Sequence, residues 1–338
     1  MLRRRFLIRL LYSTVILCVV LATTGIVVLL ESKNKIFDSA VAKMEQTKTE
    51  TGVTSFPVSV NVYTQEIVEH PAINSFFGDT LALNDSSENN WWNQMAALLF
   101  SRDWYQNLAS PVSRIVVIWP GERKEEATKN IGDVLRWSND DRQTFQLLMD
   151  ANSPIMNEGK YFPGQYVTHR YATPQDMVDV IYNSFESEVL SRYTPEVEAQ
   201  VPLKEALIIA SLIEREASSF TNMREVSGVI WNRLFDEMPL QLDATLQYVR
   251  GSKPYESAWW PAVRPRDKFI ESAYNTYQNE GLPPAPIANP STEAILAALN
   301  PVRTECVFYF HTDEGDYYCS KTYEEHVSKL RSLYGRGK

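Results

Sequence analysis

Cysteine and histidine are scarce, three and four among 338 residues. The histidines, His70, His169, His311 and His326, are scattered without ligand spacing, so no metal site is expected. There is no glycine-rich phosphate loop and no local signature of a Ser/His/Asp triad. No cofactor is therefore expected. Positive charge is also short. The net charge is -9, the pI is near 5.2, and no basic stripe follows the first nine residues. That excludes nucleic acid as a partner. What remains is ordinary for a folded chain, 44% hydrophobic and 22% charged, and long enough for two or three units with a sizeable core. Aromatics are plentiful, and they build cores as well as flat platforms for sugars.

Charge of either sign is missing from Leu10 to Leu30. As a helix that run rises roughly 31 Å, about the hydrocarbon thickness of a bilayer. Arg3, Arg4, Arg5 and Arg9 precede it, which places the N-terminus in the cytoplasm and the body outside. A cleaved signal peptide is the rival reading. The run is long for that, and Leu29-Leu30-Glu31-Ser32 has no small-residue cleavage site.

Beyond the anchor, Glu31 to Thr54 is polar and alternately charged, like a stalk. Phe56 to Tyr63 alternates like a short strand. Asn84 to Asn90 is a loop by composition, and Trp91 to Leu108 reads as an aromatic amphipathic helix. Next comes a small strand–helix–helix unit. Its strand is Arg114 to Trp119, its first helix Arg123 to Leu135, and Ser138 caps the second. Thr173-Pro-Gln-Asp176 opens a further helix running to about Ser191.

Leu203 to Ala217 is the stretch around which the rest is arranged. Its alanine, leucine, isoleucine and glutamate content, with Pro202 just ahead, makes it a helix. Glu214 and Glu216 end an otherwise apolar run and project to nearly opposite sides. Glu216 shares its face with Ile209, Leu212, Ile213 and Phe220, the bulkier and more apolar set. A carboxyl group there is expected to have a raised pKa and to serve as a general acid. The competing reading has both glutamates solvated on the helix surface.

Downstream, Met223 to Phe235 reads as a second apolar helix. Met238 to Tyr248 reads as extended, so Gln241 and Asp243 are expected to share a face. Gly281-Leu-Pro-Pro-Ala-Pro-Ile-Ala-Asn-Pro290 is a rigid loop, because proline fixes φ. Ser291 caps a helix to Leu299, and a final helix spans His326 to Tyr334. Between them, Cys306 and Cys319 flank a β-hairpin turning at Asp313-Glu-Gly315. A symmetric hairpin is expected to set the two cysteines opposite each other, within reach of a disulfide in an oxidising compartment.

Several of these stretches occur together and in order. They are Glu158-Gly-Lys-Tyr-Phe-Pro163, Ala210-Ser-Leu-Ile-Glu-Arg-Glu216, Asn232-Arg-Leu234, Met238-Pro-Leu-Gln-Leu-Asp243, Tyr274-Asn-Thr-Tyr277, the proline-rich loop and Ala298-Leu-Asn-Pro301. From Arg114 to Leu330 the chain resembles the endolytic murein transglycosylases, the YceG-like family. The resemblance implies an α+β protein. It would have an N-terminal membrane helix (10–30) behind a basic tail (1–9), a divergent membrane-proximal region (31–112) and a small LysM-like unit (113–152). A mixed α+β, lysozyme-like catalytic domain with a C-terminal hairpin (153–338) would follow. It also implies residence in the bacterial inner membrane with the body outside, peptidoglycan strands as substrate, and peptidoglycan synthases as partners. Two departures stand out. The region 31–110 is unlike the usual version, and Gly164 stands where the family typically has aspartate.

The family's catalytic glutamate falls on Glu216, the residue the helical faces select. The resemblance implies that Glu216 protonates the oxygen between N-acetylmuramic acid and N-acetylglucosamine, then takes the proton of the muramic C6 hydroxyl as it closes a 1,6-anhydro ring. The nucleophile is on the same sugar, so no second carboxylate is required. Gln241, Tyr274, Asn275 and Tyr277 are candidates for binding the sugar; the competing reading is that they hold loops together. Asp243 opens an alternative, hydrolysis as a muramidase with Glu216. A further alternative is a non-catalytic glycan-binding scaffold of a synthesis complex.

Overall fold

The computed structural model describes residues 54–76, 113–152, 154, 156–217, 219–312 and 315–335. The expected membrane helix over 10–30, most of the stalk, and the helix over 91–108 lie outside the described residues. Among the described residues no helix is long and apolar enough to cross a membrane.

The chain enters through a short hairpin, β1 (Val60–Asn61) against β2 (Glu66–Ile67). Only these residues of the expected strand 56–63 pair in a sheet, although Phe56 and Val60 are buried as their alternation requires. Asn300 secures the segment. Its Nδ2 donates to the Pro57 carbonyl at 2.7 Å, and its Oδ1 accepts from the Ser59 hydroxyl at 2.9 Å.

The small unit starts with β3 (Ser113–Ile118), followed by α1 (Lys124–Leu135) and α2 (Asn139–Ala151). Ser138 caps α2 as expected, accepting from the Asp141 N–H, while the Asp141 carboxylate accepts from the Ser138 N–H. The unit is completed by β4 (Gly164–His169), antiparallel to β3 from Ser113↔His169 to Ile118↔Gly164. Its second strand therefore lies past residue 152, where the sequence suggests the catalytic domain begins. Val116, Ile131, Phe145, Met149 and Tyr161 fill its core.

The helix α3 (Pro174–Glu188), capped by Thr173, contributes Met177 and Ile181 to that core and Phe185 to the next. The second core surrounds α4 (Leu203–Glu216), in which every residue from Ala206 to Ile213 is buried. A helix apolar on all sides must be covered on all sides. Its neighbours are α5 (Phe220–Phe235), α6 (Asp243–Gly251) and α7 (Thr292–Leu299). The close approach of α7 follows from sequence, since its Ala294, Ala297 and Ala298 and the Ala210 and Ser211 of α4 are small.

The hairpin β5 (Phe308–His311) and β6 (Tyr317–Ser320) pairs Tyr309 with Cys319. The expected register with the two cysteines opposite is thus not the one adopted. The register from Phe308↔Ser320 to His311↔Tyr317 sets position 309, not 306, against Cys319. The disulfide Cys306–Cys319 is nonetheless present, with Cα atoms 5.7 Å apart, because Cys306 lies in the extended lead-in to β5. The last helix, α8 (Tyr323–Tyr334), starts three residues before the expected His326, at a capping box of Thr322 and Glu325.

Candidate active site

The last turn of α4 sends its two carboxylates to different neighbours. Glu214 points to α7. Its Oε2 accepts from the Ser291 N–H at 2.8 Å and from the Ser291 hydroxyl at 2.6 Å, and Ser291 in turn caps α7. Burial raises Glu214 from an ordinary 4.5 to about 7. The sequence reserves a raised pKa for Glu216, but the small face of α4 lets α7 close over Glu214 as well. Glu214 is a structural acid that fixes the start of a helix.

Glu216 faces the hairpin and the start of α6. Burial raises its pKa, the Tyr309 hydroxyl and the Ala244 N–H lower it by donating hydrogen bonds, and the nearby Asp243 charge raises it again. The Tyr309 hydroxyl is 2.9 Å from Glu216 Oε2. This is the setting of an acid whose proton is held more tightly than usual, with donors ready for the carboxylate it leaves behind.

The structure divides the other candidates. Gln241 and Asp243 are both exposed and alternate with buried Leu240 and Leu242, but the stretch is not a strand. Gln241 is left-handed, with φ of 52°, its N–H bonded to the Thr276 carbonyl, and Asp243 opens α6. The turn lets Leu242 donate its N–H to the Thr276 hydroxyl. Tyr277 donates its hydroxyl to Asp243 Oδ1 at 2.7 Å, so these two join Glu216 in one cluster. Asn275 does not. It is fully buried, and its amide spans the Lys268 and Ile270 carbonyls and the Tyr277 N–H, so it holds the loop. Tyr274 packs at a tilt against Tyr248, with ring centroids 4.9 Å apart, and senses Glu158 at the seam with the small unit.

Two participants escape the sequence reading. Tyr309 is one; the alternation Phe308-Tyr309-Phe310-His311 marks two faces, but nothing local says which meets Glu216. Arg233 is the other. Its Nε donates to the Val307 carbonyl at 2.6 Å and its Nη1 to the Leu240 carbonyl at 2.6 Å, which ties the hairpin to the turn before Asp243.

The proline-rich loop meets the small unit through Asn289, which is fully buried. Its Oδ1 accepts from the Gly159 N–H at 2.9 Å and the Tyr161 N–H at 3.0 Å, and its Nδ2 donates to the Glu122 carbonyl at 2.9 Å. Glu158, buried beside it, accepts from the Lys124 N–H at the start of α1. Burial raises Glu158 well above the carboxylate range and Glu122 to about 7.

These raised acids make stability depend on pH with a definite sign. Glu122 and Glu214 hold their protons in the folded state to about 7, whereas the unfolded chain releases them near 4.5. Their contribution is complete below 4.5 and is lost as pH rises from there to about 7. Glu214→Gln keeps an acceptor for Ser291 and removes the titration. Its unfolding midpoint is expected to gain on wild type steadily across that window. Taking the difference cancels His311 and His326, whose burial acts in the opposite direction. A constant offset between the two proteins at every pH would refute the assignment.

Together these features define the class: a mixed α+β protein with a carboxyl of raised pKa, held by donors, at the end of a buried helix. The chain belongs to the YceG-like family, whose sequence pattern matches residues 89–332. It is 33% identical over 178 residues to the endolytic murein transglycosylase of Bacillus subtilis (strain 168), across 52% of this chain and 48% of that protein. It is 30% identical over 179 residues to the endolytic murein transglycosylase of Streptococcus pneumoniae (strain D39), across 52% of this chain and 32% of that one. The chain thus spans half or less of the curated relatives it matches. A solved YceG-like protein from Listeria monocytogenes is similar with a TM-score of 0.54 at 26% identity, over 64% of this chain and 75% of its own.

Proposed function

We propose that this protein is a membrane-anchored endolytic lytic transglycosylase of peptidoglycan. Leu10 to Leu30 would hold the body outside the cytoplasmic membrane, beside nascent strands and the synthases that make them. The names of the relatives support the activity. The disulfide supports an oxidising compartment. The small unit, two helices between antiparallel strands, is read as LysM-like.

The observation that carries the mechanism is the Glu216 carboxyl, buried, raised in pKa and engaged by donors. Glu216 protonates the glycosidic oxygen, and the bond from that oxygen to muramic C1 breaks. The muramic C6 oxygen attacks C1 as Glu216 takes its proton, which returns the acid to its starting state. One group serves in both steps because the attacking hydroxyl is already held within the substrate. The Asp243 charge adds to the upward shift that burial gives Glu216, and Tyr277 fixes Asp243.

Asp243 beside Glu216 also gives the hydrolytic reading its footing, since a second carboxylate is what a muramidase needs. Product ends decide between them. Purified peptidoglycan treated with the full chain is expected to yield 1,6-anhydro-muramic ends in mass spectra. Reducing ends would replace the proposal with hydrolysis, and intact strands retained by the protein would replace it with a glycan-binding scaffold.

A further inference from the structure

The hairpin does more than close the chain. Tyr309 is held from four directions. Its hydroxyl reaches Glu216 Oε2, and its ring stacks on Tyr317 across the hairpin, with centroids 6.1 Å apart and planes 26° apart. His311 meets its edge at 5.9 Å. Its cross-strand partner is Cys319, which the disulfide joins to Cys306. Arg233 anchors the strand's lead-in at Val307 and, through Pro239 and Leu240, the turn that delivers Asp243 and Ala244 to the same carboxyl. A lone hydroxyl on a flexible hairpin would contribute little. This one is braced by a covalent bridge, stacked rings and a buried guanidinium.

We infer that Tyr309 is a positioning residue for the reaction: its hydroxyl engages Glu216 Oε2, fixes the carboxyl rotamer and assigns the transferable proton to Oε1. The inference rests on Glu216 being the general acid. In the first step the Oε1–H bond breaks and the proton goes to the glycosidic oxygen. The carboxylate left behind keeps the Tyr309 hydrogen bond on Oε2. In the second step Oε1 takes the C6 hydroxyl proton. Tyr309 retains its own proton throughout, since burial and the Glu216 charge push its ionisation well above the ordinary range. The groups acting on Glu216 are Tyr309 from β5, Asp243 and Ala244 from α6, and Arg215 beside it on α4; Arg233 and Tyr277 face this cluster from α5 and the 274–277 loop.

The test is Tyr309→Phe in the full chain, read in two ways. The first is the pH profile of turnover on peptidoglycan. The second is the titration of the Glu216 carboxyl itself, by carbon-13 NMR of glutamate-labelled protein with Glu216→Gln as the assignment control. A charged hydrogen bond to the ionised form is lost, so both the descending limb and the titration are expected to move up by about one pH unit. Turnover at the optimum is expected to fall about tenfold with KM changed less than twofold, as for an interaction made to the acid and not to the substrate. A purely structural tyrosine would lower activity without moving either titration, and that result overturns the inference. The NMR reading does not need cleavage. If wild type fails to cut glycan yet its Glu216 titration moves in Tyr309→Phe, the functional proposal falls and the positioning contact stands. Should Tyr309→Phe not fold, protein grown with 3-fluorotyrosine supplies a stronger donor. Its Glu216 titration is expected to move down, and an unmoved one again overturns the inference.

Discussion

Glu216→Gln is expected to reduce formation of anhydro-muramic ends by at least about 10³-fold, toward the upper end of what one acid–base group contributes. The amide has the shape of the acid and keeps an oxygen for Tyr309, so the site should survive intact. What is lost is the proton. No neighbour can take over. Asp243 is exposed and bound to Tyr277, while Glu214 is turned to Ser291 on another side of α4. Stability should not suffer, because a buried group that resists ionisation is replaced by one that cannot ionise. The unfolding midpoint is expected to stay within about 2 °C of wild type, about the shift that 1 kcal/mol produces in a protein of this size. Binding to insoluble peptidoglycan should persist. A variant that still cuts at a tenth of the wild-type rate would remove Glu216 from the mechanism.

Asn289→Ala is expected to be the most damaging single substitution for stability. It leaves the Gly159 and Tyr161 N–H groups without the side-chain oxygen that pairs them, while the Glu122 carbonyl keeps the backbone N–H of residue 289. Asn289 and Tyr161 are fully buried, so water cannot replace the amide without rearrangement. Each orphaned N–H costs about 1–3 kcal/mol, so the two together cost about 2–6 kcal/mol. In a chain of this length that lowers the unfolding midpoint by roughly 3–8 °C. Calorimetry on the purified variant measures it, and a loss below about 1 kcal/mol would mean the seam is held elsewhere. Asn289→Asp is a useful companion, because it keeps the acceptor for Gly159 and Tyr161 while it removes the donor to Glu122 and Glu158 and sets a second carboxyl beside buried Glu158.

Local chemistry accounts for what was legible in the sequence. The central helix, its apolar run and its terminal glutamates needed only composition and a 100° step. Ser138, Thr173 and Ser291 announced three helix starts because a capping side chain acts within three residues. The strand Gly164–His169 left no such mark. It pairs with Ser113–Ile118 across two intervening helices, and apolar Val167 beside exposed Gln165 and His169, with polar Thr168 on the face of Tyr166, blurs the alternation. The opening of α6 was hidden by Leu240-Gln-Leu-Asp243. That pattern satisfies a strand, yet Gln241 turns left-handed to bury both leucines against Thr276. The meeting of Tyr309 with Glu216 spans 93 positions, and no local pattern encodes it. Asn275 and Tyr277 sit two residues apart in one motif and still divide, one holding a loop and the other reaching the acid's neighbour.

The seam at Asn289 bears on how this architecture can be cut and recombined. A designer tempted to treat the strand–helix–helix portion as a cassette would excise 113–152 and strip Gly164–His169 of every ladder bond, leaving a raw edge ready to recruit another chain. The same excision would remove the Glu122 carbonyl and the Lys124 N–H, which Asn289 and Glu158 grip from the other side. The two units are therefore spliced rather than appended. Trading the small one for another module means carrying 113–169 together and rebuilding the socket around Asn289.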